Sequence, residues 1–104
     1  MRVIYYLQEH VETNLTLKDL AEYFKYSESH FSTLFQKETG TAPSNYFTRL
    51  KIQKACQYIE LTDMKLNEIA MRLGFEEQAY FSRVFTKVMG ISPSSYRKKE
   101  ADNR

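Results

Sequence analysis

Apolar residues recur along the chain three and four positions apart, the spacing that lines one face of a helix. Val3, Ile4, Leu7 and Val11 predict a first amphipathic helix of about three turns, closed by the polar stretch Glu12-Thr13-Asn14. Thr16, with Asp19 three residues on, has the form of an N-cap and a shortened capping box. The helix it opens carries Leu17, Leu20, Ala21 and Phe24 on one face. Lys25-Tyr26 forms the turn and Ser27 caps the next helix, whose Phe31, Leu34 and Phe35 face inward up to Gly40. A glycine there suits a left-handed C-terminal cap. Pro43 stands where a first helical residue is expected. A long helix from about Ser44 to Glu60 follows, with Tyr46, Phe47, Leu50, Ala55 and Ile59 buried, and Leu61 to Lys65 form a short connection.

Beyond that connection the pattern repeats. Leu17, Asp19, Leu20, Ala21 and Tyr26 recur 49 positions later as Leu66, Glu68, Ile69, Ala70 and Phe75. One residue is then added in the turn. Phe31, Ser32, Phe35, Lys37, Gly40, Pro43, Ser44 and Tyr46 recur 50 positions later as Phe81, Ser82, Phe85, Lys87, Gly90, Pro93, Ser94 and Tyr96. A self-match with Gly, Pro and aromatic punctuation in register signals duplicated structure. The expected fold class is all-α: two helix-turn-helix subdomains joined by a long central helix. The 104 residues make one domain, with a first unit at about 3–42, a linker helix at about 43–60 and a second unit at about 64–100. The polar tail from Arg97 to Arg104 is expected to fray.

What such helices do depends on what they show to solvent, because two helices joined by a turn occur in any bundle. With Phe31, Leu34 and Phe35 inward, Ser29, Ser32, Thr33 and Gln36 cluster on the opposite side. In the second copy Phe81, Val84 and Phe85 face inward, while Ala79, Ser82, Arg83 and Thr86 face outward. A merely solvated helix face usually pairs Glu with Lys at four-residue spacing. These faces are instead small, polar and nearly free of acid in their middles. Such a surface can approach base edges without repelling phosphates.

Composition permits this reading without demanding it. The chain is 42% hydrophobic and 27% charged, with a net charge of +2, as in an ordinary folded protein. Cys56 is the sole cysteine, which rules out a disulfide framework and suits a reducing cytoplasm. His10 and His30 are isolated, and no His/Cys/Asp/Glu group has metal-ligand spacing. There is no Gly-rich phosphate loop and no nucleophile elbow. No catalytic residue, metal or cofactor is expected, and no membrane-spanning stretch.

At this point the chain resembles the DNA-binding domain of AraC/XylS-type bacterial transcription regulators. Lys51-Ile52, Ala55, Ile59, Ile69-Ala70, Gly74-Phe75, Phe81, Phe85, Gly90 and Ser92-Pro93 carry the resemblance in the second half. Leu20-Ala21, Phe35-Gln36-Lys37-Glu38-Thr39-Gly40 and Pro43 carry it in the first. It implies seven helices, the third and sixth entering successive major-groove segments on one face of double-stranded DNA. Such openings lie about 34 Å apart, and a helix from Ser44 to Glu60 would span about 25 Å as a brace. The resemblance also implies transcription regulation and a preceding effector or dimerisation domain. Met1 opens directly into the first helix, so the expectation is either an excised fragment or a stand-alone regulator. Because the copies differ, the site read should be asymmetric.

Arg83 is the foremost residue for base readout, since Arg can grip guanine O6 and N7 together. Ser29, Ser32, Thr33 and Gln36 occupy the matching face of the first copy, where phosphate, water-mediated or thymine-methyl contacts are the expectation. Gln78, Ala79, Tyr80 and Ser82 complete the base-facing set. Ser27, Lys37, Ser44, Arg49, Lys51, Thr86, Lys87 and Arg97 are candidates for phosphate contact. Lys51 stands where the family commonly has arginine, so a fork-shaped contact there would be lost. The competing class is a protein-interaction module whose helices bind a partner such as RNA polymerase.

Overall fold

A computed structural model describes residues 2–103. Among these residues the secondary structure is seven α-helices: α1 (Val3–Glu9), α2 (Leu17–Tyr23), α3 (Glu28–Thr39), α4 (Pro43–Leu61), α5 (Leu66–Arg72), α6 (Gln78–Met89) and α7 (Pro93–Asp102).

Local chemistry sets most of the boundaries. Thr16 Oγ1 accepts from the Asp19 backbone N–H at 3.1 Å while Asp19 Oδ2 accepts from the Thr16 N–H at 3.0 Å. This reciprocal pair starts α2 by satisfying two donors that would otherwise lack partners. Ser27 Oγ likewise accepts from His30 N–H at 3.2 Å to start α3. Gly40 and Gly90 end α3 and α6 in the left-handed region, at φ +81° and +84°, where a Cβ would be strained. Two expectations change. α1 closes at Glu9, with the His10 N–H bonded to the Leu7 carbonyl, so it is shorter than three turns. The tail from Arg97 does not fray as its polarity suggested: α7 carries the helix on to Asp102, started by Ser92 Oγ accepting from Ser95 N–H at 3.1 Å. Arg104 lies outside the described residues.

The chain divides into two compact units, the first ending at Leu50 and the second beginning at Lys51. The division falls inside α4, so that helix serves both units in turn. The first core gathers Val3, Leu7, Leu20, Ala21, Phe31, Phe35 and Phe47, with Tyr46 and Leu50 packed against it. Around it Tyr6 stacks on His10 and Tyr23 at 4.1 and 4.3 Å between centroids, holding α1 on α2. The second core gathers Ile52, Ala55, Cys56, Ile59, Ile69, Ala70, Leu73, Phe75, Phe81 and Phe85. Val3 and Leu7 thus precede Ile52 and Cys56 by the same 49 residues that relate the rest of the repeat. The duplication therefore extends one helix further than the sequence pattern suggests. α1 plays in the first unit the part that the second half of α4 plays in the second.

Candidate nucleic-acid interface

Each unit holds one helix-turn-helix pair, α2–α3 or α5–α6, and the turns are built alike. The Tyr26 N–H bonds the Ala21 carbonyl at 2.8 Å, and Phe75 N–H bonds the Ala70 carbonyl at 2.9 Å. The turn requires one residue with positive φ. The second copy supplies Gly74 at +86°, but the first supplies Lys25 at +63°. These bonds fix where the second helix of each pair leaves the turn, and the phenylalanine stripes then fix its rotation. Phe31 and Phe35 in α3, and Phe81 and Phe85 in α6, are at most 1% exposed. Burial of that size, about 1.5–3 kcal/mol for each ring, leaves the opposite faces no choice but solvent.

On α3, Ser29, Thr33, Gln36 and Lys37 are exposed and Ser32 is half-buried. On α6, Gln78, Ala79, Tyr80, Arg83, Thr86 and Lys87 are exposed and Ser82 is half-buried. α6 contains no acidic residue along its 12 positions. The Arg83 guanidinium lies over the Tyr80 ring, 5.7 Å from its centroid, and Tyr80 leans on Phe75 at 5.9 Å. Lys37 and Lys87 sit in the last turns of their helices, where the C-terminal dipole also favours a cation. Thr86 Oγ1 donates to the Ser82 carbonyl at 2.7 Å, so its proton is committed within α6. Ser27 keeps its hydroxyl proton for another acceptor, because its oxygen only accepts in the cap. Ser44 and Arg49 are exposed on the first half of α4.

Two residues expected at phosphates are drawn inward to different degrees. Lys51 is buried, and its ammonium donates to the Leu73 carbonyl at 2.5 Å. Leu73 is the C-cap of α5, so the lysine engages one of the carbonyls that a helix end leaves open. Arg97 occupies the repeat position of the buried Phe47. It is half-buried, and its Nη2 is shielded with no hydrogen-bond partner. The same register points to Ser94, the counterpart of Ser44, exposed in the first turn of α7. The duplicated Pro-Ser pair was its signal in the sequence. No cluster of three or more potential metal-ligating side chains occurs among the described residues, and none of the described helices is long and apolar enough to cross a membrane.

A helix-turn-helix domain profile matches residues 20–99. The MmsAB operon regulatory protein of Pseudomonas aeruginosa is 38% identical over 94 residues, which is 90% of this chain and 31% of that protein. The chain thus spans about a third of the length of that relative. Among solved structures, the C-terminal domain of AraT, a response regulator from Geobacillus stearothermophilus, is 34% identical with a TM-score of 0.91, covering 94% of this chain and 82% of that one. The DNA-binding domain of the global transcriptional factor AdpA, solved in complex with a target DNA, is 26% identical with a TM-score of 0.94, covering 99% and 93%. Two helix-turn-helix pairs with phenylalanine-locked rotation, together with these relatives, place the chain in one family: it is a helix-turn-helix DNA-binding domain of the AraC/XylS type.

Proposed function

We propose that this domain regulates transcription by reading an asymmetric stretch of double-stranded DNA, with α3 and α6 in successive major-groove segments. The observation that carries the proposal is the outward face of α6. It is free of acid, built of small or neutral side chains and carries one arginine, which suits close approach to base edges. The α3 face, with Ser29, Ser32, Thr33 and Gln36, offers only short neutral groups. The two faces therefore prefer different bases. Lys37, Arg49 and Lys87, with the hydroxyls of Ser27 and Ser44, serve the phosphates that fix register. The whole protein adds an effector or dimerisation domain, works in the bacterial cytoplasm and counts RNA polymerase among its partners. The proposal draws on no catalytic group, metal or cofactor.

Selection from random-sequence DNA tests it. The expected outcome is an enriched, non-palindromic motif of about two helical turns, with affinity that falls steeply as salt rises. On that motif Arg83→Ala should cost about 1–3 kcal/mol and relax preference at one base pair. Equal loss on every DNA sequence would remove Arg83 from base readout. Absence of DNA binding at low salt would favour a protein-interaction module instead.

A further inference from the structure

We propose that Tyr80 is a positioning residue that holds the Arg83 guanidinium in its reading orientation before DNA arrives, an inference that rests on the base-reading function of α6. Tyr80 is the third residue of α6 and Arg83 follows one turn later, on the same side of the helix. The guanidinium carbon lies 5.7 Å from the Tyr80 centroid, within the range where a cation is attracted by the ring face. The ring is itself held. It lies 5.9 Å from Phe75, which is 8% exposed and packs 5.3 Å from Phe81. A chain of contacts therefore runs from the second core to the tip of the arginine.

The first unit supplies the comparison. Tyr26 and His30 hold the repeat positions of Phe75 and Tyr80, and their rings also touch, edge to face at 5.2 Å. Thr33 holds the position of Arg83. The aromatic pair is thus common to both turns, whereas the cation seated on it in α6 has a threonine as its counterpart in α3. An arginine free in solvent samples many rotamers and loses that freedom on binding. Seating it on a fixed ring removes part of that loss before binding. The consequence is that α6 discriminates between bases more sharply than its side chains would if left mobile.

The test measures affinity of the intact chain for its selected DNA site and for the same site changed at each base pair, by fluorescence anisotropy. Wild type is compared with Tyr80→Leu, Tyr80→Phe, Arg83→Ala and Tyr80→Leu/Arg83→Ala. Tyr80→Leu should lower preference about two- to fivefold at the base pair read by Arg83. Tyr80→Phe, which keeps the ring, should behave as wild type. Tyr80→Leu should add nothing once Arg83 is gone. Loss of preference with Arg83→Ala but not with Tyr80→Leu, or additive losses in the double variant, would overturn the positioning role while leaving base readout intact. If Arg83→Ala leaves every preference unchanged, base readout fails and the positioning role falls with it. In the free protein, NMR should show the Arg83 side-chain protons shifted upfield by the ring and returned to ordinary positions in Tyr80→Leu. Ordinary positions in the wild type would overturn the proposal without any DNA.

Discussion

The Lys51 ammonium donates to the Leu73 carbonyl, 22 residues on, inside the second unit. A lysine on the long helix thereby secures the end of α5, from which the turn to α6 departs. Lys51→Met removes the donor and leaves the carbonyl buried, which should lower stability by about 1–3 kcal/mol. The salt dependence of DNA binding should not change with this substitution. Lys87→Ala, by contrast, should reduce the salt slope by about 1 if its charge meets a phosphate. Urea unfolding and affinity titrations across salt concentrations read both effects. A reduced slope in Lys51→Met with stability intact would return Lys51 to the phosphate surface.

Lys25 occupies the left-handed turn position that the second copy gives to Gly74. A side chain there costs about 1–2 kcal/mol against a right-handed conformation, partly offset because glycine leaves more entropy in the unfolded chain. Lys25→Gly should therefore stabilise the first unit by up to about 1 kcal/mol. Gly74→Lys should weaken the second unit. Chemical denaturation midpoints check the two directions, and opposite signs are the expected result.

The Thr16–Asp19 capping box makes a prediction in pH. Thr16→Ala should cost about 1 kcal/mol through the lost cap. The hydrogen bonds from Thr16 hold the Asp19 carboxyl below its ordinary value. A lowered folded value means that stabilisation is present above the unfolded value, near 3.8, and is lost as pH falls through the folded value. The stability difference between wild type and Asp19→Ala should therefore shrink on acidification below that point. A constant difference would show that the carboxylate charge is not what the cap uses.

Tyr96 donates its phenol proton to Glu60 Oε2 at 2.5 Å, tying α7 to the end of α4. Tyr96→Phe should lower stability by about 1.5–3 kcal/mol at neutral pH, as for loss of a hydrogen bond to a charged group. The bond to Glu60, and burial after it, raise the phenol above its ordinary value. The bond's contribution is therefore complete below about pH 10, the unfolded value. It is lost progressively as pH rises from there through the folded value. The advantage of wild type over Tyr96→Phe should narrow across that alkaline range in urea unfolding experiments.

Much of the molecule is legible in its sequence. The caps at Thr16 and Ser27, the glycine stops at positions 40 and 90 and the proline starts at 43 and 93 act within a few residues. Their outcome follows from local bonding and backbone sterics. The rotation of α3 and α6 was legible too, because pairs of phenylalanines four apart leave a helix only one way to bury them.

Other features needed chain segments that are distant in sequence. Lys51 reads as a surface cation until the open carbonyl of Leu73 arrives beside it. Arg97 reads as one until the fold sets it where the first unit has Phe47. The tail from Arg97 looked too polar to hold a helix, yet Tyr96 just before it packs on the second core and bonds Glu60. Sequence by itself determined the helices, their duplication and the faces they turn outward, since periodicity and capping are properties of neighbours along the chain. Only the tertiary structure decided which cations are drawn inward from the surface. Those outcomes depend on partners that folding alone brings within reach.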